Sequence, residues 1–164
     1  MPRLWAYLAL CVLIVATPAV ACSPLPPVLA ALPQVSVVIQ RDGVPQQAIN
    51  ARLAKDATAR AAGFQQVCPR QIKTMAILFV FDGPFGGVFH MRNVLGPLDI
   101  LFADKAGIVL DAQTMAVYSK ENVKTVYSPG TSFYYALEIA AGRLGASVQE
   151  LIGARLRIKG VIPQ

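Results

Sequence analysis

The chain is poor in histidine and cysteine, the residues that most often build metal centres and nucleophile pairs. It contains one histidine, His90, and three cysteines in 164 residues, and no cysteine or second histidine lies near His90 in sequence. A zinc site needs three or four ligands, so the sequence predicts no metal site and no cofactor. It also lacks a recognisable catalytic motif, so the residues alone assign no reaction.

Clustered charge and internal repeats are missing as well. Lys and Arg number 15 against 9 Asp and Glu, which gives a formal net charge of +6. These basic residues are spread along the chain and form no stripe of the kind that nucleic-acid binding usually needs. We therefore expect no nucleic-acid partner. With no repeat or low-complexity tract, a chain of this length suits one domain.

Only the N-terminus carries a long apolar run. Residues 1–3 provide a basic end, residues 4–16 are apolar, and 19–21 form a small-x-small cleavage pattern, which together predict a signal peptide over residues 1–21. The apolar run is too short for a comfortable membrane span. Removing Arg3 with the peptide leaves 14 of the 15 basic residues against 9 acidic ones, a charge of +5. We expect an exported protein, periplasmic or secreted.

Cys22 and Cys68 would be the two cysteines of the mature chain, and two alternatives follow for them. An even number of cysteines in an exported protein favours a Cys22–Cys68 disulfide. Alternatively, the small residues before Cys22 resemble a lipoprotein cleavage site, so that Cys22 would carry a lipid and anchor the protein to a membrane. Residues 22–33 contain four prolines and are interpreted as a spacer that leads to a single domain over residues 34–164.

Short apolar runs bounded by Gly, Pro or Asp predict a mainly β fold. The predicted strands are 35–39, 49–53, 77–81, 88–91, 98–102, 108–118, 123–127, 133–140 and 155–159. Two short helices are expected: one over 56–62, with Asp56 as the N-cap and Gly63 at its end, and one over 147–152, with a capping box of Ser147 and Glu150. This pattern favours an antiparallel jelly-roll-like sandwich or a partly closed barrel with two short helices.

Strand alternation separates candidate site residues from core residues, since successive side chains point to opposite faces. His90 and Arg92 share one face of the predicted strand 88–91, and Asp99 follows one turn later. Arg92 and Asp99 would either form an ion pair that braces this turn or bind a ligand. Glu138 alternates with core residues and would point toward solvent or toward a groove. The ligand-binding candidates are His90, Arg92, Asn93, Asp99 and Glu138.

Five short motifs occur in an order typical of a known family. They are Ala-Arg-Ala-Ala-Gly at 59–63, Leu-Phe-Val-Phe at 78–81, Phe-His-Met-Arg-Asn at 89–93, Pro-Leu-Asp-Ile-Leu-Phe at 97–102 and Ala-Leu-Glu at 136–138. Over residues 35–160 the chain resembles the domain of unknown function 192 family. The resemblance implies a jelly-roll β sandwich and no established reaction. It carries Met91, Arg92, Asn93, Asp99 and Glu138 over as a polar signature, with Arg92 in place of a usual lysine and His90 in place of a usual tryptophan.

Three functional hypotheses follow. The first is an exported, non-catalytic module that binds a small ligand or an envelope protein. The second is an envelope lipoprotein, anchored through Cys22, that serves a protein partner. The third is a hydrolase or lyase in which His90 or Glu138 acts as general base while Arg92 and Asn93 stabilise a developing negative charge.

Overall fold

The computed structural model describes residues 25–119, 121, 126–145 and 147–162. The predicted signal peptide and Cys22 lie outside these residues. The helices are α1 (Pro27–Ala30), α2 (Ala57–Ala62) and α3 (Pro69–Ile72), and a 3₁₀ helix spans Val148–Leu151. The strands are β1 (Gln34–Arg41), β2 (Val44–Ala54), β3 (Ala76–Phe85), β4 (Leu98–Ala103), β5 (Val109–Met115), β6 (Phe133–Ala140) and β7 (Arg155–Ile162).

The seven strands form one sheet in the order β5-β4-β6-β3-β2-β1-β7. All neighbouring pairs are antiparallel except β2 and β3, which run parallel over Arg52–Ala54 and Ile77–Phe79. A parallel pair cannot be joined by a tight turn and needs a crossover connection. Here the crossover consists of α2, α3 and their loops, and this places both helices over one face of the sheet.

The two edge strands approach each other at one end of the sheet. Leu156 N donates to Gly107 O at 2.7 Å, and Val109 N donates to Ala154 O at 2.9 Å. Gly107 has a φ of +80°, and a Cβ added there would lie 2.4 Å from Leu156 O, so this close approach requires glycine. The sheet therefore curls into a half-barrel, which confirms the mainly β prediction in its partly closed barrel form.

Two apolar cores lie on the two faces of the curled sheet. The inner core takes side chains from all seven strands, together with Val148 and Leu151 of the 3₁₀ helix. The outer core lies between β3, β4 and β6 on one side and α1, α2 and α3 on the other. Both faces of β6 are therefore covered. Successive side chains of β6 point alternately into the inner and the outer core, and neither direction leads to solvent.

Several local predictions are wrong. Residues 88–91 do not form a strand: β3 ends at Phe85, before Gly86 and Gly87, and among the described residues this segment makes an isolated bridge between Phe89 and Tyr127. The capping box is absent: Ser147 Oγ donates to Gln149 Oε1 at 2.7 Å and does not cap the 3₁₀ helix.

The N-terminal segment also differs from the predicted spacer over its described part. Residues 27–30 form α1, and Leu29 and Leu32 are buried in the outer core. Arg52 Nη1 donates to Leu29 O at 2.7 Å and to Ala30 O at 3.1 Å, so an arginine of β2 binds the carbonyls at the end of this helix. Residues 25–33 thus pack on the domain, because two of their leucines replace water contacts with outer-core contacts.

Among the residues that the structure describes, no helix is long and apolar enough to cross a membrane.

Candidate functional site

A pocket of about 250 Å³ opens in the outer core, between α2 and the connection from β3 to β4. Its walls are largely aromatic. Phe81 and Phe85 stack with ring centroids 4.1 Å apart, and Phe79 meets Phe89 edge to face at 5.1 Å. The polar side chains that line the pocket come from α2 and the residues after it, from the connection, and from β6: Arg60, Gln65, His90 and Glu138.

Glu138 lies in the wall of this pocket. Its neighbours across the sheet are Ile77 on β3 and Ile100 on β4, both fully buried, and Glu138 itself is only 4% exposed. Its carboxyl group forms no hydrogen bond or ion pair with any residue that the structure describes. Burial away from water disfavours the charged form and raises the pKa of Glu138 to about 8. At neutral pH the carboxyl is therefore mainly protonated.

Gly63 brings the end of α2 close to this carboxyl. The helix begins as predicted, with Asp56 Oδ1 accepting a hydrogen bond from Ala59 N at 2.8 Å. It ends at Gly63, whose φ is +46°, and a Cβ built there would lie 4.0 Å from Oε2 of Glu138. The Ala-Arg-x-x-Gly motif thus ends a helix against the Ala-Leu-Glu motif of β6.

Arg60 supplies the pocket with a positive charge that is held in place. Its Nη1 donates to the backbone oxygens of Lys55 and Val80, the latter at 3.2 Å. The guanidinium carbon lies 5.0 Å from the centroid of the Phe81 ring, within the range of a cation–π interaction. Arg60 forms no ion pair with a described carboxylate, so its remaining N–H groups are available to a ligand.

The mouth of the pocket exposes apolar surface. Val88 is 54% exposed and Phe85 is 37% exposed, and His90 beside them is also exposed. A cluster of exposed apolar side chains at the rim of a concave site is typical of a binding surface. Of the five residues predicted from the sequence, the structure brings only His90 and Glu138 to this pocket.

Asp99 is placed elsewhere and has a structural role. It is 2% exposed, accepts a hydrogen bond from Thr114 Oγ1 at 2.6 Å, and accepts another from Gly142 N at 2.8 Å. These bonds join β4 to β5 and to the turn after β6. The predicted Arg92–Asp99 ion pair is wrong, because Arg92 is exposed and Asp99 uses both carboxylate oxygens on other partners.

Asn93 also shapes the backbone and does not line the pocket. It adopts a φ of +60°, a conformation that asparagine tolerates better than most residues. Its backbone oxygen accepts a hydrogen bond from Gln66 N at 2.7 Å, which ties the connection before β4 to the loop after α2. The Met-Arg-Asn motif therefore fixes a turn: Met91 is buried and Arg92 points to solvent.

Sequence reasoning missed most of the pocket. Arg60 belongs to the Ala-Arg-x-x-Gly motif, and this motif could have marked it as a candidate. Which way its side chain points from α2 depends on where the β2–β3 crossover lies, and the sequence does not show that. The five phenylalanines that line the pocket looked like ordinary core residues: Phe64, Phe79, Phe81, Phe85 and Phe89. Among the described residues, no group of three or more metal-ligating side chains is found.

A second concavity lies at the β1–β2 turn and the start of β7. It has about 700 Å³, and its lining includes Arg41, Arg155 and Arg157. All three arginines are exposed, and the described residues that line this space include no buried polar side chain. It is a weaker candidate than the aromatic pocket. The expectation of no nucleic-acid partner stays a prediction.

Cys68 is disulfide-bonded and directly precedes α3. The other two cysteines of the chain, Cys11 and Cys22, lie outside the described residues. The predicted pairing with Cys22 and the alternative of a lipid on Cys22 therefore stay predictions.

The fold and the pocket define a small, mainly β half-barrel domain with a buried carboxyl in an aromatic pocket on its outer face. The chain belongs to the domain of unknown function 192 family, described as an uncharacterized ACR, whose sequence profile matches residues 37–158. This confirms the resemblance found in the sequence motifs. No curated protein matches the chain.

Two solved structures share the fold. One, from Sinorhizobium meliloti 1021, is described as a "putative transcription regulator"; it is 25% identical, has a TM-score of 0.63, and the match covers 77% of this chain and 95% of that one. The other, from Novosphingobium aromaticivorans DSM 12444, is described as a protein of unknown function; it is 22% identical with a TM-score of 0.63, and the match covers 87% and 94% of the two chains. The second likeness shows the fold alone.

Proposed function

We propose that this protein is an exported, non-catalytic binding domain that holds a small, largely apolar molecule in the aromatic pocket. The observation that carries the proposal is Glu138, a carboxyl group 4% exposed that has no partner among the described residues. The carboxyl faces the pocket, so water can hydrogen-bond to it while the pocket is empty of ligand. A ligand that hydrogen-bonds to the carboxyl would replace this water, and the exposed Phe85 and Val88 would gain burial at the same time.

The hydrolase or lyase hypothesis receives less support. It required Arg92 and Asn93 to stabilise negative charge beside the base, but neither residue lines the pocket. His90 and Glu138 both line it, and among the described lining residues the permanently charged cation is Arg60, which the hypothesis did not include. We therefore favour binding over catalysis for this site.

Export is supported by the disulfide at Cys68, since disulfides persist in oxidising compartments and are rare in the cytosol. A disulfide and a lipid on Cys22 exclude each other, because both would use the same sulfur atom. Mass spectrometry of the mature protein distinguishes them. Soluble export predicts the mass of a chain that begins at unmodified Cys22 and that gains the mass of two hydrogens when its disulfide is reduced. An added diacylglycerol supports the anchored lipoprotein and its protein partner.

The binding function is tested by a thermal-shift screen of metabolites on the mature, oxidised protein. A ligand present at 100 times its Kd adds about 2.7 kcal/mol to the stability of the folded state, which raises the Tm by several degrees. Val88→Trp should abolish these shifts, because a large side chain at the exposed rim would close the mouth. Ile158→Trp is the matched control, since Ile158 is 41% exposed on β7 and does not line the pocket. A screen without a single hit that Val88→Trp removes would refute the proposal.

A further inference from the structure

The polar groups of the pocket indicate what kind of ligand it takes. Resting on the binding function proposed above, we infer that the pocket recognises a small apolar molecule that carries one carboxylate group. The carboxylate would lie near Arg60 and Glu138, and the hydrocarbon part would pack against the phenylalanine rings.

Arg60 favours an anion. Among the described residues that line the pocket, the charged or titratable groups are Arg60 from α2, His90 from the β3–β4 connection and Glu138 from β6, while β3 contributes phenyl rings. The guanidinium is held over the Phe81 ring at 5.0 Å and by the oxygen of Val80 at 3.2 Å, so its position is set before a ligand binds. A guanidinium is well suited to a carboxylate, because its N–H groups can pair with both oxygens.

Glu138 adds a second donor. Its burial between Ile77 and Ile100 disfavours ionisation, and the pKa of about 8 keeps the proton on the carboxyl at neutral pH. A protonated carboxyl donates one O–H hydrogen bond, and the guanidinium only donates. The guanidinium therefore requires an acceptor atom on the ligand, and the O–H of the protonated carboxyl can donate to a second acceptor. The ligand-free pocket carries net positive charge from Arg60, which disfavours an organic cation in spite of the aromatic rings.

The apolar walls and the volume limit the size of the molecule. A cavity of about 150 Å³ lined by apolar side chains binds benzene. By the same scale, the pocket of about 250 Å³ holds roughly ten non-hydrogen atoms. One ring or a short alkyl chain with a carboxylate fits this volume.

Three probes with the same carbon skeleton and different polar ends test the assignment: 3-phenylpropionate, 3-phenyl-1-propanol and 3-phenylpropylamine. Each is titrated into the mature, oxidised protein by calorimetry at pH 6. We expect the propionate to bind at least tenfold more tightly than the alcohol, and the amine to bind most weakly. Arg60→Gln should weaken the propionate by tenfold or more and leave the alcohol unchanged.

The pH dependence separates Glu138 from the other groups. Above pH 8 the ionised carboxyl repels the ligand, so the affinity for the propionate should fall by about tenfold per pH unit. Glu138→Gln replaces the carboxyl by an amide, which donates a hydrogen bond and does not ionise. The affinity of this variant for the propionate should therefore not fall above pH 8. His90→Asn is the control for the imidazole, and its affinity for the propionate should fall above pH 8 as it does in the unchanged protein.

The outcomes distinguish this inference from the binding function. Tightest binding of the amine, affinity that rises above pH 8, or no binding of the propionate overturns the carboxylate assignment. If the metabolite screen nevertheless yields a ligand without a carboxylate that Val88→Trp excludes, the binding function stands and only the ligand class is wrong. A screen with no such ligand refutes both.

Discussion

Glu138 makes the stability of the ligand-free protein depend on pH in a way that can be calculated. Below pH 4.5 the carboxyl is protonated in both the folded and the unfolded chain, and its burial carries no charge penalty. Burial raises the pKa of Glu138 from 4.5 to about 8 in the folded state. Between these values the unfolded chain releases the proton and the folded chain retains it. The free energy of unfolding therefore falls as the pH rises, by about 1.4 kcal/mol per pH unit.

Glu138→Gln isolates this contribution, because glutamine has nearly the same shape and never ionises. The variant and the unchanged protein should have similar stability near pH 4.5, and the variant should be more stable by about 5 kcal/mol at pH 8. Above pH 8 both states of the unchanged protein are ionised, so the difference stops growing. Other carboxyl groups titrate equally in both proteins and cancel in the difference.

Urea unfolding at pH 4.5, 6, 7, 8 and 9, with the disulfide intact, measures the difference directly. Glu150→Gln is the control, because Glu150 is exposed on the 3₁₀ helix and its replacement should give no such trend. Parallel stability profiles for Glu138→Gln and the unchanged protein would refute the reasoning. They would mean that Glu138 is ionised in the folded state throughout this range, and hence that its surroundings solvate a charge.

Three further changes test the framework around the pocket. Asp99→Ala should lower the free energy of unfolding by about 1 to 3 kcal/mol, because it leaves the Gly142 N–H without its acceptor. Gly107→Ala should cost about 2 to 5 kcal/mol, since the new Cβ combines an unfavourable φ with a clash against Leu156 O. Cys68→Ser should cost about 2 to 5 kcal/mol by removing the disulfide. Urea denaturation measures all three.

The first two changes have matched control variants, and reduction tests the third. Asp82→Ala alters an exposed aspartate and should leave stability within about 0.5 kcal/mol. Gly130→Ala tests the cost of the unfavourable backbone conformation without a clash, because Gly130 has a φ of +71° and open space around it. It should lower the free energy of unfolding by about 1 to 2 kcal/mol. Equal losses at Gly107 and Gly130 would contradict the close approach of the sheet edges. An unchanged Tm in dithiothreitol would contradict a stabilising disulfide.

Local patterns predicted most of the strands, because a strand that packs on a core shows its apolar residues and its turn residues over a few positions. The α2 helix was predicted for the same reason, with Asp56 and Gly63 both acting within one helical turn of the residues they cap. One strand prediction that needed a distant partner was wrong. Residues 88–91 have strand composition, but within the described part of the chain their pairing is the isolated bridge between Phe89 and Tyr127.

The candidate site shows the same division. Sequence placed Arg92, Asn93 and Asp99 in a polar cluster because they are close along the chain. In the structure, Asp99 binds Thr114 and Gly142, and Asn93 fixes a turn. Arg60 and Glu138 line one pocket although 78 positions separate them in the numbering. Chain proximity is a poor guide to a site built by a crossover and a central strand.

By itself, the amino-acid sequence determined that this protein is a mainly β domain of the domain of unknown function 192 family, with too few histidines and cysteines to predict a metal centre. Strand composition, turn residues and short motifs are local properties, so they can be recognised without knowing which distant residues they contact. Only the tertiary structure decided that Glu138 is buried in the wall of an aromatic pocket that Arg60 also lines. The physical reason is that alternation assigns a side chain to a face of a strand, whereas folding decides what covers that face, and here both faces of β6 are covered.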